Sequence, residues 1–241
     1  MYAIETRGLC KSFGSRIAVR ELDLTVEAGG VFSLLGVNGA GKTTTIRMLT
    51  GLTKPTAGSA RVMGMDVVKD PRGVKAVIGV SPQETAVAPN LTVRENLDFM
   101  ASLYKNGGRR RGEEVLTALK LDTVAGQRAG TLSGGWQRRL SIAMALVSKP
   151  KLLFLDEPTL GLDVLARREL WQVIRSLRRD DTTVLLTTHY LEEAEALSDS
   201  IAVMANGRLQ AVGTAAQLKQ LAGKDTFEEA FVALCSGEVG L

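Results

Sequence analysis

Hydrophobic and polar residues follow two periods along this chain, and each change of period marks a change of element. Residues 1 to 35 read as strands. In DLTVEAGGVFSLLG an alternating piece precedes a Gly29-Gly30 turn, and the largely apolar run Val31 to Leu35 suits a buried strand. Lys42 to Leu52 reads as a helix that ends near Gly51, with Pro55 beyond it. AVIGV, KLLFLDEP and TTVLLTTH are three further candidate buried strands. Between the last two, Leu170, Val173, Ile174 and Leu177 recur at helical spacing. Strands alternating with helices predict an α/β fold around a largely parallel sheet.

Two stretches depart from that alternation. From about residue 88 to 130 the pattern is helical. Thr92 followed by Glu95 predicts a capping box for VRENLDFMASLY, Gly107 and Gly108 break the run, and EEVLTALKL resumes it. The stretch reads as a helical insertion between strands. Near the end, IAVMANGRLQAVG predicts a hairpin through Asn206-Gly207. In DTFEEAFVAL, Phe227, Ala230, Phe231 and Leu234 fall on one helical face, as expected of a helix that caps the domain. There is no internal repeat and no low-complexity linker.

Composition narrows the function classes. The 241 residues are 45% apolar and 23% charged, ordinary values for a globular protein. Thirty basic residues against 26 acidic ones give a net charge of +4. That suits an anionic ligand or a membrane surface but is too balanced to argue for nucleic acid. The basic run Arg109, Arg110, Arg111 reads as a solvated loop or helix start. Cys10 and Cys235 form no disulfide pattern, which points to a reducing compartment. Met1 to Cys10 lacks the apolar core of a signal peptide, and no apolar run approaches the roughly 20 residues needed to span a bilayer. A cytosolic chain is expected, with any membrane role requiring a partner.

Three local patterns carry chemistry. GVNGAGKT, Gly36 to Thr43, matches G-x-x-x-x-G-K-[ST] between a strand and a helix, the context that pattern requires. Its glycines let backbone N–H groups turn toward phosphate oxygens, Lys42 can reach the β- and γ-phosphates, and the Thr43 hydroxyl can bind Mg²⁺. Asp156 and Glu157 end an apolar strand, where ligands of open α/β sheets sit. Asp156 there would meet Mg²⁺ and Glu157 an attacking water. Adjacent acids at a strand end also occur as a solvated turn; the phosphate loop upstream favours the functional reading. His189, the sole histidine, follows another strand and would reach the same edge to hold the water or bond a γ-phosphate.

In order along the chain stand GVNGAGKT, Gln83 in VSPQE, LSGGWQRR, LLFLDEP, GLD and TTHY. Over about residues 2 to 220 this set resembles the nucleotide-binding subunit of an ABC transporter, most closely the exporter branch that pairs with a separate membrane chain. The resemblance implies a P-loop NTPase (RecA-like) core, an N-terminal antiparallel β subdomain and an α-helical subdomain inserted at about 86–145. The ATP-binding domain would cover 1–225 and a capping helix 226–241, with no room for a regulatory domain.

The resemblance also implies ATP with Mg²⁺, bound through Gly36, Asn38, Gly39, Ala40, Gly41, Lys42, Thr43 and Thr44. Phe13 falls where an aromatic ring stacks on adenine; tyrosine is usual, so the ring is kept and the hydroxyl lost. Thr43, Gln83 and Asp156 would face the metal, and Glu157, His189 and Gln83 would serve catalysis. Ser133, Gly134 and Gly135 would meet the γ-phosphate held by a second copy of the chain, arranged head to tail, and Asp163 would cross between the two sites. Bare backbone at the glycine pair suits that close approach. Trp136 stands where glutamine is more usual, which leaves an altered hydrolysis rate and local packing as two open readings. Ser200 stands where arginine is frequent. An integral membrane subunit is the further partner, no nucleic acid is expected, and the chain would lie on the cytoplasmic face of the membrane. The rival readings are a soluble ABC ATPase acting on nucleic acid or ribosomes, a module that binds ATP without hydrolysis, and a kinase or GTPase, which leaves LSGGW unexplained.

Overall fold

A computed structural model describes residues 1–104, 108–177 and 182–237. In chain order its strands are β1 (Tyr2–Phe13), β2 (Arg16–Glu27), β3 (Val31–Leu35), β4 (Ala57–Val62), β5 (Met65–Asp66), β6 (Ile78–Ser81), β7 (Leu152–Asp156), β8 (Thr183–Thr188), β9 (Ser200–Ala205) and β10 (Arg208–Gly213). The helices are α1 (Lys42–Leu49), α2 (Pro71–Val77), α3 (Val93–Ser102), α4 (Gly108–Ala118), α5 (Gly134–Leu146), α6 (Val164–Leu177), α7 (Leu191–Leu197), α8 (Ala215–Ala222) and α9 (Phe227–Ser236).

Two sheets result. One has four strands in the order β2-β1-β4-β5, with every pairing antiparallel. The other has six in the order β10-β9-β3-β8-β7-β6. Its strands are parallel except β10, which returns beside β9 through Asn206-Gly207. Both turn residues have positive φ, 52° and 76°, the conformation a two-residue hairpin with right-handed strand twist requires.

The apolar runs are buried on both faces, as their sequence predicts. In β7, Leu153 and Leu155 join a core shared with the helices α3 to α6. Leu152 and Phe154 face a second core shared with α1 and the antiparallel sheet. Alternate residues thus feed opposite layers. On α6, Leu170, Val173, Ile174 and Leu177 are all buried in the first core. A third, smaller core joins Ile201 and Val203 of β9 to Leu218 of α8 and to Phe227 and Leu234 of α9.

Some boundaries differ from the pattern's expectation. The strand read as AVIGV begins at Ile78, because Ala76 and Val77 finish α2. Asp70 caps that helix, accepting from Gly73 N at 2.9 Å, and Pro71 occupies its first turn. Helix α4 starts at Gly108, well before the apolar spacing of EEVLTALKL begins. Gly107, read as a break, lies outside the described residues, as do residues 238–241 of the expected terminal helix. The Thr92/Glu95 capping box is present: Glu95 N donates to Thr92 Oγ1 at 3.2 Å, and Thr92 N to Glu95 Oε2 at 2.7 Å. Accepting from Thr92 holds the Glu95 carboxyl below its ordinary value.

Candidate functional site

Parallel pairing sets the carboxyl ends of β3, β6, β7 and β8 along one edge of the sheet. Each strand continues there into a segment singled out by its chemistry. β3 runs into Gly36–Thr43, β6 into Pro82 and Gln83, β7 into Glu157, and β8 into His189. A cavity of about 560 Å³ opens over this edge. Phe13, residues 38–44, Gln83, Glu157 and His189 line it. That is the size class of small-molecule sites.

The charged groups are already engaged with one another. The buried Lys42 Nζ donates to the carbonyls of Gly36 at 2.8 Å and Val37 at 3.3 Å, and lies 3.4 Å from Glu157 Oε1. Glu157 Oε2 lies 3.1 Å from His189 Nδ1. Glu157 has φ 47°, in the left-handed region a glutamate rarely adopts. Its N–H is directed at Thr187, 3.0 Å from Oγ1 and 3.2 Å from the carbonyl oxygen. Backbone strain of this kind clusters where a side chain must be aimed.

Asp156 sits just behind the cavity wall. Its Oδ1 accepts from Thr43 Oγ1 at 3.1 Å and from Thr187 Oγ1 at 2.5 Å. A carboxylate and a hydroxyl side by side at the end of a phosphate loop form an all-oxygen donor set of the kind Mg²⁺ takes. Gly41 caps α1 at φ 103°, and a Cβ there would lie 2.7 Å from the Ala18 carbonyl oxygen. Strand β2 is thus the floor under the loop, and only glycine fits against it.

Phe13 is 51% exposed beside the cavity, with Lys11 Nζ 4.9 Å from its ring centroid. It is not part of the core. Ser133, Gly134, Gly135 and Asp163 lie outside the cavity. Ser133 is exposed at the N-terminus of α5 and its hydroxyl makes no capping bond to that helix. Asp163 instead accepts from Leu165 N and Ala166 N, both at 2.9 Å, and starts α6. Trp136 is half-buried against the first core, with the Arg139 guanidinium 4.8 Å from its ring centroid. Arg139 in turn pairs with Glu169.

Several contributors carried no signal in the sequence. Arg16, Ala18 and Leu160 also line the cavity. Thr187 bonds both acids but reads as one more strand residue. Glu193 is fully buried in α7 and accepts from Trp171 Nε1 at 3.0 Å, fixing the helix that follows His189. Burial raises its carboxyl above the usual value, against bonds from Thr188, Thr159 and Trp171. Nothing in the spacing of Glu192-Glu193 marks the second as buried; its bond to Trp171 of α6 does.

A family model described as ABC transporter matches residues 19–160. The daunorubicin/doxorubicin resistance ATP-binding protein DrrA of Streptomyces peucetius is 46% identical over 226 residues, covering 92% of this chain and 68% of that protein. A Nod factor export ATP-binding protein of a Rhizobium species is 44% identical over 216 residues, covering 88% and 71%. Among solved structures, an ATP-binding subunit of an ABC transporter superposes with a TM-score of 0.85 at 27% identity, over 96% of this chain and 99% of that one. A dimeric ATP-binding cassette in a post-hydrolysis state with ADP and Pi superposes at 0.78 and 25% identity, over 88% and 98%.

Proposed function

The chain belongs to the ABC transporter family as an ATP-binding subunit with ATPase activity, and from that premise we propose that it powers export through a separate membrane subunit, two copies enclosing two ATP molecules head to tail. The carrying observation is the division of the motifs. The phosphate loop, Gln83, Glu157 and His189 share one cavity, while Ser133, Gly134, Gly135 and Asp163 lie outside it, with Ser133, Gly134 and Asp163 exposed. A site so divided is completed by a second copy.

In this reading residues 36–44 bind the phosphates, with Lys42 leaving Glu157 to meet them. Thr43, Asp156 and Gln83 would hold Mg²⁺, which neutralises charge developing on the phosphates. Glu157 takes the proton of the attacking water, and His189 orients that glutamate through the 3.1 Å contact. The partner's glycine pair and helix N-terminus meet the γ-phosphate, and its loss on hydrolysis releases the two copies. Phe13 stacks on the base. Phe13→Ala is expected to weaken ATP binding about 5- to 160-fold, the worth of one base stack. Titration with a fluorescent ATP analogue measures it, and an unchanged Kd removes Phe13 from the site.

Transmission to the membrane subunit runs through the loop after β6. Gln83 lines the nucleotide cavity, while Pro82 and Ala86 line a groove of about 370 Å³ shared with Met100, Tyr104 and Met144. Phe99 and Leu103 stand exposed on and after α3 beside it. The groove is the expected seat of the membrane partner, which holds the chain at the inner face of the membrane. Among the described residues no helix is long and apolar enough to cross a membrane. Reading the chain as an ATPase of nucleic acid or ribosomes draws no support from the relatives named above, which are transporter subunits.

Activity against protein concentration tests the paired site. Phosphate release per chain should fall steeply as the protein is diluted below its dimer dissociation constant. Constant specific activity down to the monomer would sink the proposal.

A further inference from the structure

Helix α5 begins at the glycine pair that serves the partner's nucleotide, and one turn later it presents Arg138. That side chain is only 5% exposed. Its Nη1 donates to the Pro82 carbonyl and its Nη2 to the Gln83 carbonyl, both at 2.6 Å. Two successive carbonyls gripped by one planar guanidinium fix the orientation of the peptide between them as well as its position.

The grip is the first of three contacts between α5 and this strand. One turn on, Ser141 Oγ lies 2.9 Å from Ser81 Oγ, both buried. A further turn on, the backbone of Gly79 lies so close to the Ala145 carbonyl that a Cβ on Gly79 would collide with it. Residues 79, 81 and 82–83 thus meet 145, 141 and 138 in turn, strand and helix running in opposite senses. Gln83 is thereby tied to α5, and Arg138 makes the contact at the functional end. On its neighbouring face the same helix is tied to α6 by the Arg139–Glu169 pair.

We propose that Arg138 is the positioning residue that couples the two nucleotide sites: it ties Gln83, which reads the chain's own nucleotide, to Ser133–Gly135, which serve the partner's. The inference rests on the paired-site reading above. Binding of ATP at one cavity displaces the Gln83 peptide, Arg138 carries the displacement into α5, and the glycine pair is presented to the other cavity. Arg138 touches neither nucleotide, so its removal lowers turnover without loosening ATP from the cavity.

The test compares the wild type with Arg138→Met, which keeps the volume without donors, and Arg138→Lys, which keeps the charge but not the fork. ATP affinity is measured on dilute monomer with a fluorescent analogue, and kcat and the Hill coefficient on the dimer. In Arg138→Met kcat is expected to fall about tenfold or more with Kd unchanged within about twofold, as for a group acting only in the closed state. The Hill coefficient should drop from between about 1 and 2 to about 1, the value for uncoupled sites. Arg138→Lys should recover part of both. If Arg138→Met fails to fold, Arg138→Lys against wild type carries the same comparison. Preserved kcat and Hill coefficient, or a loss of kcat matched by an equal loss of ATP affinity, overturns the coupling role. A wild type whose activity is independent of protein concentration overturns the paired-site reading itself, a separate outcome.

Discussion

Glu157→Gln stops steady-state ATP turnover while ATP binding survives. The substitution keeps the shape of the side chain and its ability to bond His189 across the present 3.1 Å. It leaves the backbone bonds from Glu157 N to Thr187 in place. What disappears is a carboxylate able to take a proton from water. General-base catalysis contributes about 10²- to 10⁴-fold, and turnover should fall by that order. Lys42 loses its anionic partner at 3.4 Å and is left free for the phosphates, so retention of ATP should strengthen. The protein should accumulate as an ATP-loaded dimer. Phosphate release and size-exclusion chromatography with ATP read the two effects separately. Undiminished release in the variant removes Glu157 as the base.

Two inactive variants restore each other when mixed. Lys42→Ala removes the buried ammonium proposed to meet the phosphates and should disable the cavity of the chain that carries it. Ser133→Arg blocks the exposed start of α5 with bulk. Because the Ser133 hydroxyl makes no capping bond to its helix, that change leaves the fold intact. Each homodimer lacks an essential half of both sites. A mixed dimer keeps one whole site, made from the cavity of the Ser133→Arg chain and the glycine pair of the Lys42→Ala chain. At equal amounts half the dimers are mixed, so up to about a quarter of wild-type turnover should return. Phosphate release from the mixture against each variant alone decides it. A mixture no more active than its components refutes the head-to-tail arrangement.

The edge that carries the cavity was legible because each of its parts is announced locally. Gly36, Glu157 and His189 each stand directly after a buried strand, and a parallel sheet turns that shared position into shared space. Strand β4 was not legible. AGSARV is short and made mostly of small residues, buries only Ala60 and Val62, and exists because β1 offers a partner some fifty residues earlier. Helix α2 did have a signal, Asp70 before Pro71, masked because the apolar Ala76 and Val77 run on into the strand's own Ile78. Thr187 and Arg138 had none. Their roles depend on which carboxylate and which carbonyls the fold brings within bonding distance, and no spacing along the chain encodes that. In GLD only the family resemblance marks Asp163, while the fold makes it the cap of α6 through Leu165 N and Ala166 N.

The Ala18 carbonyl oxygen lies against Gly41 and, from its other side, close to Gly207: a Cβ on either would come within 2.7 or 2.9 Å of it. One peptide of an outer strand is thereby wedged between the nucleotide loop and a distant hairpin. For anyone trimming the gene, the consequence is practical. A fragment starting at Val31 keeps every residue of the phosphate loop yet strips away the wall that holds its glycine in shape, so the N-terminal sheet belongs to the smallest unit worth expressing.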